Sequence, residues 1–259
     1  MTMPDRMVLE VRDVSMAFGG VRALDKVTFD IAAGSVFAVL GQNGSGKTTL
    51  INVITGCYKP TGGHIRLLGQ EITGLGVAEI ARGGVAHTFQ NLRLFDELTG
   101  VENVLVGAAG RRNAGFFSSV LPLPGQRRRG SADGQAAREA LHLLGIGHCG
   151  NVPAKDLSHG DRRRLEIARA LVCRPALLIL DEPSAGLTKV EANTLVTALR
   201  GLGNPARSVL LIEHNLAVVD QLADQVLVLH AGSPIALGEP GGVRREPTVR
   251  SLYLGLADG

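Results

Sequence analysis

The sequence predicts an α/β fold: a mainly parallel sheet, an added antiparallel β-subdomain and an inserted helical subdomain. Three observations predict it. Short apolar runs that do not alternate with polar residues read as strands covered on both faces: VFAVL before residue 41, ALLILD ending at Asp181, SVLLIEH ending at His214 and QVLVLH over 225–230. The N-terminal VLEVRDVSMAF and KVTFDI do alternate, and HIRLLG follows a Pro-Thr-Gly-Gly turn, the pattern of an antiparallel sheet. Between about residues 90 and 160 the strand signals stop, and AAREALHLLGI carries a helical pattern after a stretch rich in Gly, Pro and Ser.

Composition bounds the function classes. The 259 residues are 45% hydrophobic and 20% charged, which is globular rather than disordered, and 34 glycines imply many turns with special backbone requirements. Aromatic residues are 3% and Trp is absent, which disfavours base-stacking nucleic-acid modules, and no nucleic-acid partner is expected. The net charge of +3 names no partner by itself. No secretory pattern opens the chain and no run reaches the length of a membrane span, so the expected location is the cytosol. Cys57, Cys149 and Cys173 are far apart and lack C-x-x-C spacing, which suggests neither a disulfide framework nor a zinc site.

The strand VFAVL runs into Gly41-Gln42-Asn43-Gly44-Ser45-Gly46-Lys47-Thr48-Thr49, and an apolar helix follows. This matches G-x-x-x-x-G-K-[ST] in the strand-to-helix context that gives the pattern its meaning. The glycines let backbone N–H groups converge on phosphate oxygens, and the helix directs its positive end at the same anion. Lys47 then reaches the β- and γ-phosphates of ATP, and the Thr48 hydroxyl is a ligand for Mg²⁺. The core is thus expected to be a P-loop NTPase, RecA-like in its sheet.

A second strand ends in ALLILDEP, which puts Asp181 and Glu182 at the carboxyl edge where open α/β sheets bind ligands. Asp181 suits Mg²⁺ or its water shell, and Glu182 suits polarisation of an attacking water. A guanine-selecting Asn-Lys-x-Asp is absent, which argues against a GTPase. Histidines are ordinarily surface or core residues, so His87, His142, His148 and His230 are assigned no role.

The order of these motifs, with Leu157-Ser158-His159-Gly160-Asp161 about twenty residues before the acidic strand, resembles the ATP-binding subunits of ABC transporters. The resemblance covers essentially the whole chain as a single domain, 1–259. It implies an ATPase core with the antiparallel β-subdomain over 1–89 and 161–259, and a helical subdomain over 90–160. It assigns Gln90 in HTFQN to the Q-loop, Ser184-Ala185-Gly186-Leu187 to the D-loop, His214 in LLIEHN to the H-loop and Phe18 to the aromatic that stacks on adenine. The strings LSHGDRRRLEIARAL, EPSAGL and the late YLG are similar to the branched-chain amino acid importer subgroup, whose members serve branched-chain and other amino acids, amides or urea.

The resemblance implies two ATP-binding subunits closing head to tail, so that Ser158 and Gly160 of one meet the γ-phosphate held by the other. It gives His214 the alignment of phosphate and water, and Gln90 a bond to Mg²⁺ and a link to the membrane subunits. The partners it implies are two transmembrane permease subunits, a second ATP-binding chain of the same or a related kind and, indirectly, an extracytoplasmic solute-binding protein. The implied location is the cytoplasmic face of the inner (plasma) membrane, as a peripheral subunit. The alternative is a soluble ABC-type ATPase acting on ribosomes or DNA; such chains carry two cassettes or long coiled-coil or zinc insertions, and neither is seen. Asp161 stands where the signature commonly has Gln or Glu, and Ser158-x-x-Asp161 also fits a helix capping box.

Overall fold

The computed structural model describes residues 6–88, 94–111 and 126–254. In chain order the first part holds β1 (Met7–Phe18), β2 (Val21–Ala32), β3 (Val36–Leu40), α1 (Lys47–Ile54), β4 (Gly62–Leu67), β5 (Gln70–Glu71), α2 (Val77–Arg82) and β6 (Val85–Thr88). Three longer helices follow: α3 (Gly100–Arg111), α4 (Gln126–Leu143) and α5 (His159–Leu171). The chain then runs through β7 (Leu177–Asp181), α6 (Lys189–Leu199), β8 (Ser208–Glu213), α7 (Leu216–Leu222), β9 (Gln225–His230), β10 (Ser233–Gly238), α8 (Pro240–Val243) and α9 (Pro247–Leu254).

The chain divides into two compact units. The first comprises Met1–His87, Ala176–Ser184 and Arg200–Gly259. Its six-stranded sheet has the order β10-β9-β3-β8-β7-β6, with β3 parallel to both β8 and β9, and β7 parallel to β8. The edge strand β10 runs antiparallel to its neighbour, β9. The central strands are buried along their length, which is why they are apolar without alternation. The second sheet, β2-β1-β4-β5, is antiparallel throughout. Its inward residues, among them Leu9, Val11, Phe29 and Ile31, share one core with Phe37, Val39 and Ile212 of the larger sheet. Phe29 stacks on Phe37 with ring centroids 4.8 Å apart. The expected pairing of alternating N-terminal strands and continuous central ones is the observed one.

The second unit comprises Thr88–Pro175 and Ala185–Leu199. It reaches beyond the 90–160 boundary drawn from sequence because α5 packs on α3 and α4, burying Leu165, Ala168 and Leu171, and because α6 packs on α5. A sequence pattern marks where strand signals stop, but the partner of an amphipathic helix decides the unit to which it belongs. Asn103, fully buried, holds the entry to α3: its amide donates to the carbonyls of Phe95, Leu98 and Thr99 and accepts from Phe95 N–H. No helix among the described residues is long and apolar enough to cross a membrane.

Candidate functional site

The register of the large sheet assembles the site. Leu40 pairs with Glu213 and Asp181 with Ile212, so β3, β7 and β8 end side by side and deliver their following residues to one edge. The loop after β3 turns over Ser45 N–H to Gln42 O, 3.1 Å, and enters α1 through Gly46 at φ 104°. A side chain there would be strained, and its Cβ would lie 2.8 Å from the carbonyl oxygen of Ala23. A Cβ on Gly41 would fall on Ser45 Oγ. The loop therefore keeps its backbone close and bare, and α1 starts with no side-chain cap.

Lys47 is buried and curls back over the loop. Its Nζ donates to Gly41 O at 2.6 Å and Gln42 O at 3.0 Å, and lies 3.8 Å from Glu182 Oε1. Burial pulls its pKa down, while Glu182, Asp181 and Glu213 act the other way. Ser45 Oγ is buried without a hydrogen-bond partner among the described residues. An anion in the loop would satisfy that hydroxyl and the N-terminal donors of α1, so the loop fits a phosphate. Asn43 and Thr48 are exposed, and Thr49 is half-buried.

Asp181 closes β7 with its carboxylate 3.9 Å from His87 Nε2. Glu182 follows in the left-handed region at φ 45°, rare for a residue with a side chain, and is held there by its N–H on Ile212 O at 3.0 Å. That turn aims its carboxylate between Lys47 and His214, whose Nδ1 is 3.7 Å away. The His214 side chain is 50% exposed and the Glu182 side chain 13%. Lys47, Asp181, Glu182 and His214 are thus brought together at one edge of the sheet, with Thr48 next to Lys47 in the chain.

The second unit carries the other predicted motif. Ser158 caps α5, accepting from Asp161 N–H at 3.1 Å, while its hydroxyl lies 2.8 Å from Asp161 Oδ2. Half of the expected capping box forms: the Asp161 carboxylate takes the Ser158 hydroxyl and Arg164, 2.6 Å, rather than a backbone N–H. Gly160 N–H donates to Glu191 Oε1 at 3.2 Å. Glu191 also closes a capping box at the start of α6 through Thr188.

Phe18 ends β1 with 44% exposure and meets Tyr58 edge-on, ring centroids 5.4 Å apart. Gln90 lies outside the described residues. Sequence reasoning passed over three groups in the two units. Glu213 is fully buried, its Oε1 accepting from Ser184 N–H at 3.1 Å and its Oε2 from the N–H groups of His214 and Asn215 at 3.3 and 3.4 Å. Burial raises its carboxyl while those donors oppose the rise. A Glu ending an otherwise apolar strand was the available signal. Thr188-x-x-Glu191 was a readable capping box, and His87 was set aside although β6 brings it beside Asp181.

The family model for ABC transporters matches residues 24–185. The chain is 42% identical, over 97% of its length and 99% of the relative's, to the high-affinity branched-chain amino acid transport ATP-binding protein BraF of Pseudomonas aeruginosa. The chain belongs to the ABC transporter family. The ABC chain is also 41% identical to the high-affinity branched-chain amino acid transport ATP-binding protein LivG of Escherichia coli K12, over 96% of its own length and 98% of that protein. Among solved structures it resembles MJ1267, an ATP-binding cassette of an ABC transporter in its ADP conformation, with TM-score 0.83 and 31% identity over 96% of this chain and 99% of that one. The fold is that of an ATP-binding cassette, a nucleotide-binding ATPase module of α/β class with its antiparallel β-subdomain.

Proposed function

We propose that this cassette is the ATP-hydrolysing subunit of an importer for branched-chain amino acids or related small polar solutes such as amides and urea. The observation that carries the reading is the convergence of Lys47, Glu182 and His214 at the carboxyl edge of one sheet, in a chain 42% identical over nearly its whole length to a branched-chain amino acid transport protein.

The loop from Gly41 to Thr49 receives the phosphates of ATP on its backbone N–H groups and on Ser45 Oγ, and Lys47 exchanges its loop carbonyls for the β- and γ-phosphate oxygens. Thr48, Asp181 and Gln90 would hold Mg²⁺, an oxygen-donor set suited to that hard cation. When bound, Mg²⁺ neutralises charge on the β- and γ-oxygens. Glu182 accepts a proton from the attacking water as its oxygen bonds to the γ-phosphorus and the bond to ADP breaks. His214 aligns the γ-phosphate and that water, and Phe18 offers a ring face for adenine. Ser158 and Gly160 of a second ATP-binding subunit complete the phosphate shell. Closure on ATP and opening after hydrolysis drive two permease subunits from the cytoplasmic face of the membrane, with the solute delivered by an extracytoplasmic binding protein.

Affinity purification of the chain from gently solubilised membranes, followed by mass spectrometry, tests the reading. Two hydrophobic permease chains and a second ATP-binding chain are expected. Recovery of ribosomal or DNA-associated proteins without a permease would overturn it in favour of a soluble ATPase.

A further inference from the structure

The short 3₁₀ turn at Gly147–Asn151 places His148 and Cys149 beside the start of α5, within the second unit. There a ring nitrogen of His148, the Cys149 sulfur and an Asp161 carboxylate oxygen all lie within 4.8 Å of one another. Imidazole, thiol and carboxylate together are not a surface acidic cluster; they are the donor types that select Zn²⁺ and its neighbours over Mg²⁺ or Ca²⁺. We propose that His148, Cys149 and Asp161 form a three-ligand site for a divalent transition cation of the Zn²⁺ type, with a fourth position open to water.

The geometry supports this in three ways. Tetrahedral Zn²⁺ with bonds of about 2.0–2.3 Å sets its ligand atoms roughly 3.3–3.8 Å apart, close to the 4.8 Å that bounds the three donor atoms, and His148 is exposed. Cys149 is fully buried and its main chain is pinned, N–H to Ile146 O at 2.9 Å and carbonyl from Val152 N–H at 3.1 Å, so the sulfur is a fixed point on which the site is built. Asp161 is already oriented by Arg164 on Oδ1 and by the Ser158 hydroxyl on Oδ2, the kind of outer support that metal-binding carboxylates carry. As the metal–sulfur bond forms, Cys149 releases its thiol proton to solvent. The site therefore shares Asp161 with the cap of α5. It depends only on residues of the second unit and stands or falls apart from the importer reading.

The test is a titration of the reduced full-length protein with Co²⁺ in excess Mg²⁺, which fills oxygen-donor sites. The expected result is one equivalent of bound Co²⁺ with a thiolate-to-Co²⁺ charge-transfer band in the near ultraviolet and tetrahedral ligand-field bands in the visible, all abolished by one equivalent of Zn²⁺. The charge-transfer band should vanish in Cys149→Ser and persist in Cys57→Ser and Cys173→Ser. Exposed His148→Ala, which spares the core, should weaken binding at least about tenfold, as should Asp161→Asn. Absence of the band, its survival in Cys149→Ser, its loss in Cys57→Ser, or wild-type affinity in His148→Ala or Asp161→Asn would overturn the assignment.

Discussion

Two turns in this cassette end at the start of a helix, and they are finished in opposite ways. At the loop before α1, Gly46 in the left-handed region supplies no side-chain cap and Ser45 Oγ is left without a partner among the described residues. At the turn before α5, Ser158 already caps Asp161 N–H and Glu191 already accepts from Gly160 N–H. A phosphate entering the first meets donors that need an acceptor, whereas one entering the second must displace an acceptor that is in place. On the proposed reading the first turn binds and the second responds, since the net gain of exchanging one hydrogen bond for another is small.

The largest effect that bears on this contrast is expected for Glu182→Gln. It should lower ATP turnover about 10²–10⁴-fold with nucleotide affinity kept, because only the proton acceptor is lost. Single-turnover hydrolysis and equilibrium binding measured on one preparation check it; near-normal turnover would remove Glu182 from the chemistry. Lys47→Ala comes next. Losing a charge-assisted bond of about 1.5–3 kcal/mol should weaken binding of a fluorescent ATP analogue roughly 10- to 150-fold, and unchanged affinity would mean that the first turn does not hold the phosphates.

Glu191→Ala sharpens the comparison at the second turn. Freeing Gly160 N–H should lower the ATP concentration for half-maximal turnover of the assembled transporter by about two- to tenfold, while loss of the Glu191 half of the Thr188 capping box slightly lowers thermal stability. If thermal stability falls and the ATP dependence stays put, Glu191 is a cap and no competitor. The smallest effect concerns pH. Burial raises the Glu213 carboxyl, so its contribution to stability is complete below the ordinary value of 4.5 and is lost as pH rises through the folded value. The melting temperature of the wild type should therefore rise relative to Glu213→Gln as pH falls from neutral toward 4.5. A constant gap would show that the N–H groups of Ser184, His214 and Asn215 offset the burial.

Much of this molecule was legible in its sequence. The strands that became β3, β7, β8 and β9 announced themselves as unbroken apolar runs, because a strand covered on both faces has no polar side to show. Lys47, Asp181 and Glu182 could be named because each follows an apolar strand within a pattern whose phosphate chemistry needs that residue type, and His214 because of the family resemblance. Glu191 was less visible, since a local capping box hides its second bond to Gly160, 31 residues away. The extent of the compact unit that holds α5 was hidden for a related reason: α5 is amphipathic, and periodicity shows that a helix has an apolar face without showing what covers it.

By itself the sequence determined the apolar central strands, the alternating N-terminal strands and helices such as α1 and α5, that a Gly-rich loop joins a strand to a helix, and which side chains carry charge there. These are local properties, set by periodicity, glycine and neighbouring residues. Only the tertiary structure decided that Leu40 pairs with Glu213 and Asp181 with Ile212, bringing Lys47 to 3.8 Å from Glu182 and His214 to 3.7 Å. It also decided that His148 and Cys149 meet Asp161, a cluster that no cysteine spacing reveals. Register and helix packing bring together residues far apart in the chain, and the physics that selects them is burial of whole faces, which no short window of sequence contains.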